Sequence, residues 1–375
     1  MGPRPLATSP GVPRAATAFC PCALIATGCA LACSGLGALA TLDVSVQAGA
    51  QRTELGPALV LAPWAAMWET WQAGARALPL SLALGLGWPV LRLGLLLLAW
   101  CLPLRRRSLC ARGRLLRALC ASGKVGLAPL WLVVLCAASC KPRWPEGATW
   151  IDEDVRLGAP FALYAGATAV SLLLGHAVEA YHVRAAKRQL AAFERAGDGD
   201  HNCTDCGLPL RAYAHPCRSR MVVLLCLAAL ATILAAVHVA AFRMSIQGLE
   251  ASALFVPMDP SVRYSMVSLG LAIPASVPGS WELAALQALF FVLSLAVPAL
   301  VVVALTLLWV LPMKPTTQDF ALGLCRALDA WAALDVFTAM LLVSRLDLAV
   351  LVRSLAERGP SAVACRWAES RLGAE

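Results

Sequence analysis

Charge is scarce in this chain: Asp, Glu, Lys and Arg make up 14% of it, against 59% hydrophobic residues and a mean hydropathy of +0.71. A soluble domain carries about 25% charged residues, so the shortfall excludes an ordinary globular protein in water and places the chain in a bilayer. Catalytic signatures are missing as well. There is no GxSxG elbow, Walker A loop, strand-borne GxGxxG or kinase set, and no soluble stretch long enough for a separate catalytic domain. The chain therefore reads as a non-enzyme. Acidic residues are absent from the first 14 positions, which hold Pro, Gly and Arg, as in a disordered tail (1–17) or part of a targeting sequence.

What the sequence has instead is apolar length. Ala15–Leu42, Leu157–Val178, Met221–Phe242 and Leu283–Met313 are uncharged runs, each meeting the roughly 20 residues that cross about 30 Å of hydrocarbon. Ala77–Leu104 contains Arg92 and Ala118–Cys140 contains Lys124, so each needs a polar partner, a watered side or snorkelling. With Leu322–Ser344 the expectation is seven spans and an all-α, polytopic helical membrane protein. Its first outer loop holds Trp64, Trp68 and Trp71 at helical spacing, the pattern of an amphipathic turn lying in the membrane interface.

The net charge of +9 does not imply nucleic acid, because of where it falls. Lys and Arg concentrate at 4–14, 105–124, 184–220 and 314–326, all on the side shared with the N-terminus. By the positive-inside rule that side, including the loop before Met221, is cytoplasmic or its equivalent. Basic loops there meet anionic lipid headgroups.

An internal duplication is legible. Displacing the sequence by 209 positions sets Pro89 on Pro298, Trp100 on Trp309, Pro103 on Pro312, Arg105 on Lys314 and Arg117-Ala-Leu on Arg326-Ala-Leu, without a gap. Upstream, Ser45-Val-Gln matches Ser245-Ile-Gln at an offset of 200. Four spans separate equivalent points, and an even stride makes the copies parallel repeats. The resulting division is membrane repeat one (18–178), a polar loop (179–220), membrane repeat two (221–345) and an amphipathic C-terminal tail (346–375).

Most of the 15 cysteines lie in apolar runs, where a thiol behaves as a small hydrophobe. The polar loop differs. Cys203 and Cys206 form a CxxC knuckle followed by Gly207, and Cys217 returns after His215, with His201 a second imidazole nearby. Thiolates with an imidazole suit tetrahedral zinc in a closed, structural site; a redox CxxC and unliganded cysteines are the other readings. His176, Glu179 and His182 follow one another at intervals of three. The two histidines then stand about 240° apart on a helix, awkward for one metal, so a polar cap at the interface is the reading taken.

The second repeat carries WAALDVF, Trp331 to Phe337, in its last span. A carboxylate such as Asp335 within a span costs about 2.5–3.5 kcal/mol to insert and so points to a functional position, the alternative being a structural pair with another helix or with Arg345 near the interface. On one continuous helix Trp331, four residues earlier, would share its face. At the same places repeat one has Ser122, Lys124, Gly126 and Ala128 opposite Trp331, Ala333, Asp335 and Phe337. If the repeats face each other, Lys124 and Asp335 can pair and offset part of each burial cost.

The duplicated membrane units, the cysteine loop between them and WAALDVF together resemble the paraquat-inducible protein A family of multi-pass membrane proteins. The resemblance covers the chain from about residue 18. In that family zinc-ribbon-like pairs of CxxC knuckles precede each membrane repeat; here the second knuckle is reduced to His215-Pro-Cys217, and Cys20-Pro-Cys22 stands before repeat one. The resemblance implies lipid transport across or between membranes alongside an MCE-type lipid-bridging protein, with Asp335, Trp331 and Lys124 in an intramembrane polar site. A non-transporting membrane scaffold or stress-related protein, and an intramembrane enzyme using His176, Glu179 or Cys203, are the alternatives.

Overall fold

A computed structural model describes residues 12–48, 51–102, 109–139, 150–195, 216–245, 261–274, 279–311 and 315–358. The first half runs α1 (Arg14–Leu36), β1 (Ala40–Ala48), β2 (Gln51–Leu61), α2 (Pro63–Gln72), α3 (Ala77–Cys101), α4 (Leu109–Ala121), a 3-10 segment (Ser122–Leu127), α5 (Ala128–Ser139), β3 (Trp150–Leu157) and α6 (Ala159–Arg195). The second half follows with α7 (Pro216–His238), β4 (Ala240–Ser245), β5 (Ser261–Ser265), α8 (Met266–Ala272), α9 (Trp281–Phe291), a π turn (Val292–Ala296), α10 (Val297–Val310), α11 (Pro315–Asp329) and α12 (Leu334–Arg358).

The molecule is mostly helical, and six of its helical stretches are long and apolar enough to cross a membrane: Arg14–Leu36, Ala77–Cys101, Ala111–Ala137, Ala159–Arg188, Trp281–Val310 and Thr316–Asp347. This is compatible with a polytopic membrane protein. The remaining expected span, Met221–Phe242, is not one helix: α7 ends at His238, β4 begins at Ala240, and the apolar stretch described on α7 is the shorter Val223–Ala235. On α3 the division of faces is plain. Leu78, Leu82, Leu86, Leu93 and Leu96 are buried, whereas Leu80, Leu84, Leu91 and Leu98 are exposed, and so large an outward apolar surface belongs against lipid.

Three expectations need correction. An all-α chain was expected, yet β1 pairs with both β2 and β3 in an antiparallel sheet, and β4 pairs with β5. The segments after α1 and α7 contain Thr41, Val44 and Val46 or Phe242, residues that favour strands, and a backbone outside a helix needs partners for its N–H groups. A hairpin thus follows the first helix of each half. The span at Ala118–Cys140 is not one helix either, because a 3-10 segment separates α4 from α5. Likewise the helix expected over Leu322–Ser344 is interrupted between α11 and α12.

Packing in the first half is built around α3, which lies against α1, α2, α6 and the 3-10 segment, while α6 also covers α1 and α4. The second half meets it through α12, which packs on α3 and α5, and through α8, which packs on α5, while the π turn backs α12 within the second half. At this junction Trp131 of α5, Phe290 of α9 and Phe337 of α12 are fully buried. Their ring centroids lie 5.2–5.8 Å apart in edge-to-face pairs, the arrangement that adds attraction beyond buried area alone. Phe337, the last residue of WAALDVF, is thereby a packing element between the halves.

Candidate functional site

The site lies where two helices break. In the first half, the turn from α4 through Ser122–Leu127 to α5 leaves carbonyls without helical donors. Arg92 Nε donates to Leu119 O at 2.5 Å, and Trp88 Nε1 donates to Ser122 O at 3.0 Å. The Tyr164 hydroxyl faces both Gly126 O at 2.9 Å and Gly85 O at 3.0 Å, its single proton shared between them. Non-helical backbone at membrane depth persists only where protein groups satisfy it, and three side chains from α3 and α6 do so here. Gly85 is free to accept because Pro89, four residues on, has no N–H.

The second break uses the same device with different atoms. Pro298 has no N–H to return to the π turn five residues earlier, and Leu293 O instead accepts from Ala333 N at 3.1 Å. This bond crosses from the gap between α11 and α12 to the helix α9–α10. At the 209-residue displacement, Ser122–Leu127 corresponds to residues 331–336. The two interruptions therefore overlap at residues 122–124 and 331–333; the carbonyl spared by Pro298 holds the second directly, and the one spared by Pro89 shares the Tyr164 hydroxyl with Gly126 O of the first.

Lys124 and Asp335 meet across these breaks: Lys124 Nζ lies 2.7 Å from Asp335 Oδ2. The lysine comes from the 3-10 segment and the aspartate from the first turn of α12, where the positive end of the helix dipole favours a carboxylate. Their side chains are 20% and 59% exposed, so the lysine is mostly enclosed while the carboxylate keeps an open side. Trp331 does not share a helical face with Asp335 as one continuous helix would require. It stands in the gap, its N–H donating to Leu328 O at 2.9 Å, and packs partly buried against the core.

Position 126, aligned with Asp335, has a steric reason to differ from it. A Cβ there would meet Pro89 Cγ at 2.8 Å, so the first break approaches α3 too closely for a side chain. Gly85 and Gly123 are equally confined, by Pro129 and by Leu172 with Arg92, in keeping with small residues at close helix contacts in membranes.

Residues Cys203, Cys206, His201 and His215 lie outside the described residues, as does the side chain of Cys217 near the start of α7. Among the described residues a different group gathers metal-binding atoms: Cys120 of α4 with His176 and Glu179 of α6, one ligand atom from each within 4.8 Å of the others. The His176–Glu179 spacing was visible in the sequence, but Cys120 was not distinguishable there from the other cysteines of apolar runs. Comparison with known protein families, curated proteins and solved structures returns no match.

Proposed function

We propose that this chain is a multi-pass membrane protein that takes part in lipid transport across or between membranes, with the Lys124–Asp335 pair and Trp331 at its intramembrane polar site. The observation that carries the reading is the pair of aligned helix breaks joined by a partly open ion pair. Discontinuous helices are where membrane transporters place polar substrate sites, because half-helix ends and charged side chains give a headgroup something to bind. The aspartate's open side and the enclosed lysine offer an acceptor and a donor to such a headgroup, beside outward apolar faces suited to acyl chains.

The resemblance to the paraquat-inducible protein A family supplies the rest of the proposal: an MCE-type lipid-bridging partner, no nucleic acid, parallel repeats, and a structural zinc held by Cys203, Cys206, His215 and Cys217 in the loop between them. The excess of Lys and Arg puts that loop and the N-terminus on the cytoplasmic-equivalent side.

Asp335→Asn tests the site because it removes the charge and keeps the shape. Movement of fluorescent phospholipid in reconstituted vesicles should fall at least about ten-fold, equivalent to about 1.4 kcal/mol, in a protein that still inserts and folds. Unchanged transport by the folded variant would remove the pair from the transport site. No lipid movement by the wild type with its natural partner proteins would favour the scaffold reading.

A further inference from the structure

We infer that Cys120, His176 and Glu179 form a site for a borderline transition-metal dication of the zinc type, separate from the cysteine loop and completed by Arg92 as a hydrogen-bond donor to its ligands. The three ligand atoms come from α4 and α6 and already lie within 4.8 Å of one another, with His176 Nδ1 and Glu179 Oε2 at 4.0 Å. Around tetrahedral zinc such atoms sit about 3.3–3.6 Å apart, a closure that side-chain rotation supplies. One thiolate and one imidazole select against calcium and magnesium, which take oxygen ligands. Three protein ligands leave the fourth position for water or another small donor.

Arg92 supplies the independent observation. It is 1% exposed, and its Nε and Nη1 are committed to Leu119 O, Ser171 O and Ser171 Oγ at 2.5, 3.1 and 2.8 Å. Its Nη2 has no hydrogen-bond partner, and neither has His176 Nε2. The orphaned Nη2 and the Cys120 sulfur border one small space: a Cβ at Gly175 would overlap Nη2 and lie 3.5 Å from Cys120 Sγ.

A divalent cation resolves this cluster. The Cys120 thiol gives up its proton to solvent on binding, and thiolate and carboxylate together neutralise the metal's two charges. Arg92 Nη2 then donates to the coordinated sulfur or to the carboxylate oxygen that does not bind, the role outer donors play in orienting metal ligands. The ligand set bridges α4 to α6 directly beneath the first helix break, where Arg92 also holds Leu119 O.

The site can be read with cobalt(II) as a spectroscopic stand-in for zinc. In full-length protein with Cys203, Cys206 and Cys217 changed to Ser, cobalt should bind one equivalent and give a sulfur-to-cobalt charge-transfer band. Cys120→Ser should abolish that band, and His176→Asn and Glu179→Gln should each weaken cobalt binding more than about ten-fold. In the wild-type chain the same Cys120→Ser substitution should remove one metal equivalent by elemental analysis, which makes the test independent of whether the loop variant folds. Cobalt uptake and spectra unchanged by Cys120→Ser, or no thiolate-bound metal beyond that of the loop, would overturn the assignment and leave a metal-free polar network around Arg92.

Discussion

Position 126 shows how little room the first break has. Gly126→Val should destabilise the protein by about 1–3 kcal/mol, the usual cost of overpacking, because its Cβ already meets Pro89; a lower midpoint in detergent unfolding would register it. At the aligned position the Asp335 side chain keeps an open side, 59% exposed. The charges at Lys124 and Asp335 were legible in sequence because an ion in an apolar run announces itself. The glycine was not, since its reason is a proline 37 positions earlier that only folding brings near. Arg92 falls between these cases: its need for a partner was readable, but its partners are Ser171 and the backbone carbonyls of residues 119 and 171, and carbonyls leave no signature in sequence.

The helices were readable by length and hydropathy, their interruptions only in part. Ser122–Leu127 contains Gly123 and Gly126, residues that weaken a helix. The Ala330–Ala333 gap contains neither Gly nor Pro; it opens because Leu293 O, spared by Pro298, takes the Ala333 N–H from another helix. Tyr164 tests the first of these supports. Tyr164→Phe leaves Gly85 O and Gly126 O without that donor in a buried site, a loss of about 1–3 kcal/mol. The expected signature is a lower unfolding midpoint together with faster amide exchange localised to residues 122–128. Uniform exchange changes would mean that the hydroxyl supports the whole bundle rather than the break. The strands escaped a reading based on apolar length, since even the longest, 11 residues, falls short of a span, and β1 and β2 carry Asp43, Glu54, Gly56 and Pro57, which weaken a strand signal.

For the molecule as a whole, three of the long apolar stretches and α7 lie between the strands that follow α1 and those that follow α7, and the proposal of repeats that run in the same direction requires α7 to cross as well. Single cysteines introduced at positions 107 and 195 of a cysteine-depleted variant should react with an impermeant thiol reagent from one face of the membrane, and cysteines at 45 and 245 from the other. Labelling of 107 and 195 from opposite faces would require a different number of crossings between them. The matches of Pro and Trp behind the proposed duplication were visible in the sequence. How the halves join was not: Trp131, Phe290 and Phe337 meet at aligned positions occupied by Met340, Ser81 and Ala128, so the shared aromatic core has no counterpart within either copy.

One contact crosses that junction over a long stretch of chain. The buried Asp347 Oδ2 accepts from Leu78 N at 2.6 Å, capping the first turn of α3 with a residue from the last helix. During synthesis α3 is made long before this cap exists, since 269 positions separate Leu78 from Asp347. A nascent chain that stalls before Asp347 thus lacks the carboxylate that Leu78 N meets in the folded protein. Completion of this contact in the first half of the molecule waits on translation of the second half.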